Sequence, residues 1–179
     1  VVGGNRFGAM AEYAVVPASA LGAKRGGLSW DEAAAYPVAY LTAYVALVRC
    51  ARIEPGEWLL VHGAAGGVGL ATVDLAKALG ARVIAAASSE EKRDAVARLY
   101  APDAVIAAGP GFRDEVKALT GGKGADVIFD PVGGDVFDES TRCIAFGGRL
   151  LVVGFASGRI PGVSVNMPLI KGFSVVGVR

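Results

Sequence analysis

Three observations predict an α/β fold built on a doubly wound, six-stranded parallel sheet. Strand and helix patterns alternate from Glu57 onward. Most of the strand patterns are nearly continuous apolar runs, as strands covered by helices on both faces require. A glycine cluster, Gly63-Ala64-Ala65-Gly66-Gly67-Val68-Gly69, joins the first strand of that series directly to its first helix. Together these features describe a Rossmann-type sheet with strand order 3-2-1-4-5-6.

The elements follow in order. Residues 1–28 carry short extended signals between glycines, such as Glu12-Tyr13-Ala14-Val15-Val16-Pro17, and read as a small β remnant of another domain. Ser29-Trp30-Asp31-Glu32 has the form of a capping box that opens a helix. Pro37 interrupts that helix before a second helical run over Leu41 to Arg49. Residues 29–56 are thus connecting helices, and 57–179 form the dinucleotide-binding domain. Its strands are predicted at 58–62, 82–87, 104–107, 125–130, 148–153 and 173–178. Its helices are predicted at 67–79, 89–99, 111–120, 135–144 and 161–170. The stretch from Gly154 to Asn166 contains Gly, Ser and Pro and is expected to hold at most a short helix. Both ends of the sequence fall within apolar runs, so a piece of a longer enzyme is expected.

Composition narrows the function class. The 179 residues are 53% hydrophobic and 20% charged, with net charge +1. That balance opposes disorder and electrostatic attraction to nucleic acid. No stretch reads as a membrane span or a cleavable signal. Cys50 and Cys143 match no disulfide framework or metal motif, so buried free thiols in a reducing cytoplasm are expected. No His, Cys, Asp and Glu residues share metal-ligand spacing, and no Gly-x-Ser-x-Gly elbow is present.

The glycine cluster carries the chemistry. Small residues at Gly66 and Gly67 let the backbone approach a pyrophosphate, and Gly69 lets the helix pack closely on the sheet. The helix that opens through Gly67, Val68 and Gly69 aims unpaired N–H groups and its positive end at the anion. A tight turn without a ligand is the alternative, but four glycines in seven residues cost conformational entropy.

Strand two should end beside the adenosine ribose, where a carboxylate would favour NAD. Here Ser88-Ser89 stands there, with Lys92 and Arg93 one helical turn later. Hydroxyls and a cation at a helix start suit a 2′-phosphate, so NADP(H) is the expected cofactor. The same residues also fit a plain helix cap, with Lys92 an ordinary surface residue. Glu90 or Glu91 would serve as the ribose acid were the strand to end two residues later. Val132 and Gly133, after strand four, are expected to line the ligand groove, although Asp130-Pro131-Val132-Gly133-Gly134 also reads as a simple loop. Gly154, Phe155 and Ala156, after strand five, offer backbone to the nicotinamide carboxamide. His62 reads as a hydrogen-bonded packing residue rather than a catalytic one.

Five motifs recur together in one order: Glu12-Tyr13-Ala14-Val15-Val16; Pro37-Val38-Ala39-Tyr40-Leu41-Thr42-Ala43-Tyr44; Ala64-Ala65-Gly66-Gly67-Val68-Gly69; Gly124-Ala125-Asp126-Val127-Ile128-Phe129-Asp130; and Gly147-Gly148-Arg149-Leu150-Leu151-Val152-Val153-Gly154. They cover nearly the whole chain. The combination resembles the medium-chain dehydrogenase/reductase superfamily and, within it, the zinc-independent quinone oxidoreductases. The resemblance implies that residues 1–28 are the last strands of a GroES-like catalytic domain whose first part precedes this sequence. In zinc-dependent relatives a cysteine ligand stands four residues before the Thr-Ala-Tyr-like motif; the residue here is Val38, so the zinc-independent branch is implied. The resemblance places Thr42 near the nicotinamide, the alternative being a helix hydroxyl bonded to its own backbone. It also matches Ser88 and Lys92 to the 2′-phosphate grip. One departure stands out: Val105-Ile106-Ala107-Ala108-Gly109 lacks the tyrosine that relatives often place after strand three. A weaker or repositioned grip on the adenosine end is therefore expected.

What the resemblance implies is an NADPH-dependent hydride transfer to a quinone or an activated alkene, with the small electrophile as partner and no catalytic residue assigned in these 179 residues. It further implies a homodimer through the last strand. An enoyl-thioester reductase is a second expectation, and a nucleotide-binding module without turnover a third.

Overall fold

The computed structural model describes residues 10–179. It divides into a first unit ending at Ala39 and a second, Tyr40–Arg179.

In the first unit, residues 10–28 form one short 3-10 turn, Ala18–Ala20, a single bridge residue at Leu21 and no strand. The expected β remnant therefore has no strand among the described residues, and its remaining part lies outside them. Tyr13 and Val15 are exposed over the run read as extended. An isolated strand has no ladder to satisfy its backbone, and among the described residues of this unit there is only the bridge at Leu21. Ser29 opens α1 (Trp30–Tyr44) with the expected capping box. The Ser29 N–H donates to Glu32 Oε2 at 2.7 Å, and the Glu32 N–H donates back to Ser29 Oγ at 3.1 Å.

Pro37 does not interrupt this helix. It sits inside α1, which passes into a π-helical segment, Val45–Ala51. Proline removes one i→i−4 bond, and tertiary contacts in the second unit outweigh that loss. Ala43, Ala46, Leu47 and Ala51 are buried, and Ala46, Leu47 and Ala51 join the sheet's core. The segment ends at Arg52, in the left-handed conformation at φ 50°, where the Ile53 N–H bonds the Leu47 carbonyl. Unbroken, Trp30–Ala51 is 22 residues long and contains an 18-residue window of mean hydropathy 1.3, long and apolar enough by length and composition to cross a membrane. By length and composition this helix departs from the expectation that no stretch reads as a membrane span.

The second unit is the predicted sheet. Its elements are β1 (Trp58–Val61), α2 (Gly67–Ala78), β2 (Arg82–Ala87), α3 (Glu90–Tyr100), β3 (Ala104–Ala107), α4 (Phe112–Leu119), β4 (Ala125–Asp130), α5 (Gly134–Cys143), β5 (Ile144–Val152), α6 (Asn166–Lys171) and β6 (Ser174–Gly177). The strands lie in the order β3-β2-β1-β4-β5-β6 and every pairing is parallel. Side chains along a strand alternate between the two faces. Leu59, Val61, Val83, Ala85, Val127, Phe129 and Leu151 therefore meet the π segment, α2 and α3. Trp58, Leu60, Ile84, Ala86, Ile128 and Leu150 meet α4 and α5 on the other face. Both faces are dry, which explains the continuous apolar runs.

β5 begins earlier than predicted. It starts directly after α5 and bulges: β4 advances from Ala125 to Val127 while β5 advances from Ile144 to Arg149. Gly147, at φ +73°, makes the detour, and a side chain at Gly148 would strike the Asp126 carbonyl oxygen at 3.0 Å. α6 also falls short of the predicted 161–170, because residues 161–165 remain loop.

One ion pair anchors the sheet at the end opposite the strand C-termini. Arg149 holds both carboxylate oxygens of Glu57, at 2.8 and 2.7 Å, and its Nε–H donates to the last π-helical carbonyl, Ala51 O.

Candidate dinucleotide-binding site

β1 leads through His62 into the glycine turn. Gly63 adopts φ +60°, a conformation that side chains resist. Its carbonyl accepts the Gly66 N–H at 2.9 Å and closes the turn. The Ala64 N–H donates to Ala86 O at 3.0 Å and ties the turn to β2. Gly66 caps α2 in extended backbone and no side chain caps it. The helix thus opens with orphan N–H groups at Gly67, Val68 and Gly69.

The glycines are required for different reasons. A Cβ on Gly69 would lie 2.8 Å from Ala64 Cα and closer still to the Gly63 carbonyl oxygen. This position must be glycine for α2 to touch the turn. A Cβ on Gly67 would meet nothing within 4 Å. Packing does not require glycine there. The open space in front of an uncapped helix start is what a phosphate group would fill.

That space continues to the end of β2. A cavity of about 230 Å³ is lined by Gly63, Ala65, Gly66, Ala87, Ser88 and Lys92. Strand two ends at Ala87, as predicted, so Glu90 and Glu91 fall in the first turn of α3 and not at the strand end. No carboxylate lines this cavity. The cap reading also holds, but for the neighbouring residue: Ser89 Oγ accepts the Lys92 N–H at 3.3 Å, while Ser88 is left to the cavity. The residues present fit a dinucleotide.

Further along the strand ends, the loops after β4 and β5 interlock. Asp130 is buried, and its Oδ1 accepts the N–H groups of Val132 at 2.8 Å and Gly133 at 2.9 Å. Burial raises its carboxyl pKa against the pull of those two bonds. Ala156 and Ser157 donate their N–H groups to Pro131 O and Val132 O. The Phe155 ring lies 3.0 Å from where a Gly133 Cβ would sit, and a Gly154 Cβ would approach Pro131 O at 3.2 Å. Val132, Gly133, Gly154, Phe155 and Ala156 are therefore brought together. The Ala156 N–H and Phe155 carbonyl are already bonded within the loops, to Pro131 O and from Gly158 N. The backbone expected to meet a carboxamide must exchange these bonds to do so. The Pro131 ring joins this cluster to the turn, with Cγ 3.4 Å from a Gly63 Cβ position.

Thr42 is half-buried, two residues before the end of α1. Its helix is fixed to α2 by Tyr40, whose hydroxyl donates to Asp74 Oδ2 at 2.5 Å. The hydrogen bond to Asp74 raises the phenol pKa further above its already high ordinary value. That tie spans 34 residues and has no periodic signal in the sequence. His62 is buried, Nε2 lies 2.9 Å from Ser140 Oγ, and its ring packs edge-on against Phe112 at 4.8 Å. Burial pushes its pKa down to about 3, so it is neutral and a packing residue, as expected. Among the described residues no three of His, Cys, Asp or Glu gather as a metal site.

The zinc-binding dehydrogenase family profile matches residues 67–179. The chain belongs to this family. A quinone oxidoreductase-like protein 2 homolog of Nematostella vectensis is 45% identical over 172 residues, covering 96% of this chain and 47% of the relative. The chain spans about half the length of the curated relatives it matches. Among solved structures, an NAD-dependent alcohol dehydrogenase superposes with TM-score 0.90 at 36% identity, over 99% of this chain and 52% of that one. The quinone oxidoreductase of Thermus thermophilus, solved also with NADPH, gives 0.79 at 39% identity, over 92% and 52%. The nucleotide-binding subdomain of the enoylreductase domain of PpsC from Mycobacterium tuberculosis gives 0.70 at 35%, over 79% of each chain. The chain is thus a member of this family, built on a Rossmann sheet and similar to part of the quinone oxidoreductase-like proteins.

Proposed function

We propose that this chain is the cofactor-binding part of a zinc-independent, NADPH-dependent reductase whose acceptor is a quinone or an activated alkene. The cavity that joins Gly66 to Ser88 and Lys92 without a carboxylate carries the reading. A bound dihydronicotinamide supplies the hydride. The chain's own residues do the rest: the turn and the start of α2 hold the pyrophosphate, Lys92 and Ser88 take a 2′-phosphate, and the loops after β4 and β5 face the nicotinamide half. Val38 stands where a metal-binding cysteine would be needed, which supports the zinc-free assignment. In this reading residues 1–28 are the end of a catalytic domain, with 29–56 connecting it to 57–179.

Calorimetric titration of NADPH and NADH into the wild type and Lys92→Ala tests the reading. NADPH is expected to bind more tightly, and the difference is expected to shrink in the variant. Equal wild-type affinities would overturn the cofactor assignment. A second reading, reduction of an enoyl thioester, is favoured by the similarity to the PpsC subdomain. Full-length enzyme assayed with a quinone and with an enoyl thioester separates the two.

A further inference from the structure

The rim beyond the cavity lacks an obvious wall for the adenine. Residues 107–111 read Ala-Ala-Gly-Pro-Gly, and side chains built at Gly109 or Gly111 would meet nothing within 4 Å. In a doubly wound sheet the adenosine lies over the carboxyl ends of β2 and β3. No aromatic or hydrogen-bonding side chain stands in this segment.

The neighbouring planar group is a guanidinium. Arg93 follows Lys92 in the first turns of α3, and its half-buried side chain folds back over the end of β2. There Nη1 donates to Ala87 O at 3.5 Å, a long bond. The same carbonyl accepts the Ala108 N–H at 3.0 Å, so the guanidinium rests where β2 and β3 finish side by side. Its other donors take no partner among the described residues, and no carboxylate claims it. A guanidinium is flat and weakly hydrated, and it stacks on aromatic faces in a way an ammonium does not.

We propose that Arg93 is the adenine-binding residue of this site, its guanidinium stacking on the adenine ring in place of an aromatic side chain after β3. The proposal rests on the dinucleotide reading above. It divides the labour between adjacent residues: Lys92 distinguishes the 2′-phosphate, whereas Arg93 holds a part common to both nicotinamide dinucleotides.

The test is calorimetric titration of the 179-residue protein with NADPH, NADH and reduced nicotinamide mononucleotide, which has no adenine. Arg93→Ala is expected to weaken NADPH and NADH by one common factor of about 3- to 10-fold and to leave the mononucleotide unchanged. Arg93→Lys, which keeps the charge and loses the plane, is expected to match Arg93→Ala. Lys92→Ala is expected to weaken NADPH alone. Unchanged affinities in Arg93→Ala would overturn the assignment while the dinucleotide reading stands. A loss confined to NADPH and restored by Arg93→Lys would also overturn it, because the side chain would then read the phosphate. If the wild type binds neither dinucleotide, the functional reading itself fails.

Discussion

Adding one methyl group at each of two glycines, two residues apart, should separate the turn's structural duty from its binding duty. In Gly69→Ala the new Cβ would sit 2.8 Å from Ala64 Cα and 2.9 Å from the Gly63 carbonyl carbon. Ordinary contact begins near 3.4 Å, so the turn must yield by at least 0.6 Å. All of these atoms are backbone, held by the Gly66-to-Gly63 and Ala64-to-Ala86 hydrogen bonds. Overpacking of this kind costs about 1–3 kcal/mol, and a disrupted hydrogen bond adds about 1 kcal/mol. We expect a loss of about 3 kcal/mol, or a fall in Tm of about 6–12 °C for a domain of this size. Gly67→Ala meets open space instead. Alanine exceeds glycine in helix propensity by up to about 1 kcal/mol, so Tm should hold or rise. Its methyl group intrudes where the phosphates would lie, and NADPH affinity should fall by at least about tenfold. Scanning calorimetry and isothermal titration on both variants provide the readouts. A Gly69→Ala protein that melts with the wild type, or a Gly67→Ala protein as destabilised as Gly69→Ala, would refute the reasoning.

Three further outcomes follow from the geometry. Arg149→Met removes both bonds to Glu57 and the donor to Ala51 O; for a half-buried pair this should cost about 2 kcal/mol in urea unfolding, between the surface and buried limits. Stability should decline on acidification from pH 6.5, because buried His62 is held near 3 in the fold while the unfolded chain takes up its proton. The slope approaches about 1.4 kcal/mol per pH unit between about pH 6 and 5 and should flatten in His62→Gln. Below that range a second loss should set in. Burial raises the Glu57 and Asp103 carboxyls, but Arg149 with the Glu54 N–H in the one case, and the Val83 N–H with Lys77 in the other, together hold them below their ordinary values, so they contribute stability that is present above the carboxylate range and lost as they protonate. Finally, β6 leaves one side of its backbone ladder open at the sheet edge; sedimentation should show a dimer that Val175→Pro weakens, and a monomeric wild type would contradict this expectation.

The sequence disclosed what local pattern controls. Alternating apolar runs and turns placed all six strands, and the glycine spacing located the turn, because these signals are carried by neighbours along the chain. It misled where distant packing overrides a local rule. Pro37 reads as a break, but burial of Ala46 and Leu47 keeps the helix whole. β5 starts at Ile144, ahead of the predicted start at 148, because its ladder partner in β4 is distant in the sequence and leaves no local signal. At the site, Ser88 and Lys92 were legible as residue types four apart. The tie from Tyr40 to Asp74 was not, nor was the fold-back of Arg93, since neither leaves a repeat to read.

The placement of the cavity rim has a consequence for adaptation. Ala87 and Val96 are buried, whereas Ser88 and Lys92 between them are exposed, and Ser89 alone holds the helix cap. On the function proposed above, the residues that would choose the nucleotide are thus uncoupled from those that hold the sheet. A lineage, or an engineer, could exchange Ser88 for an acid and redirect the enzyme toward another electron pool without eroding thermal robustness. Gly69, whose added side chain would strike the turn's backbone, allows no such freedom, so coenzyme choice could drift while the cradle beneath it stays fixed.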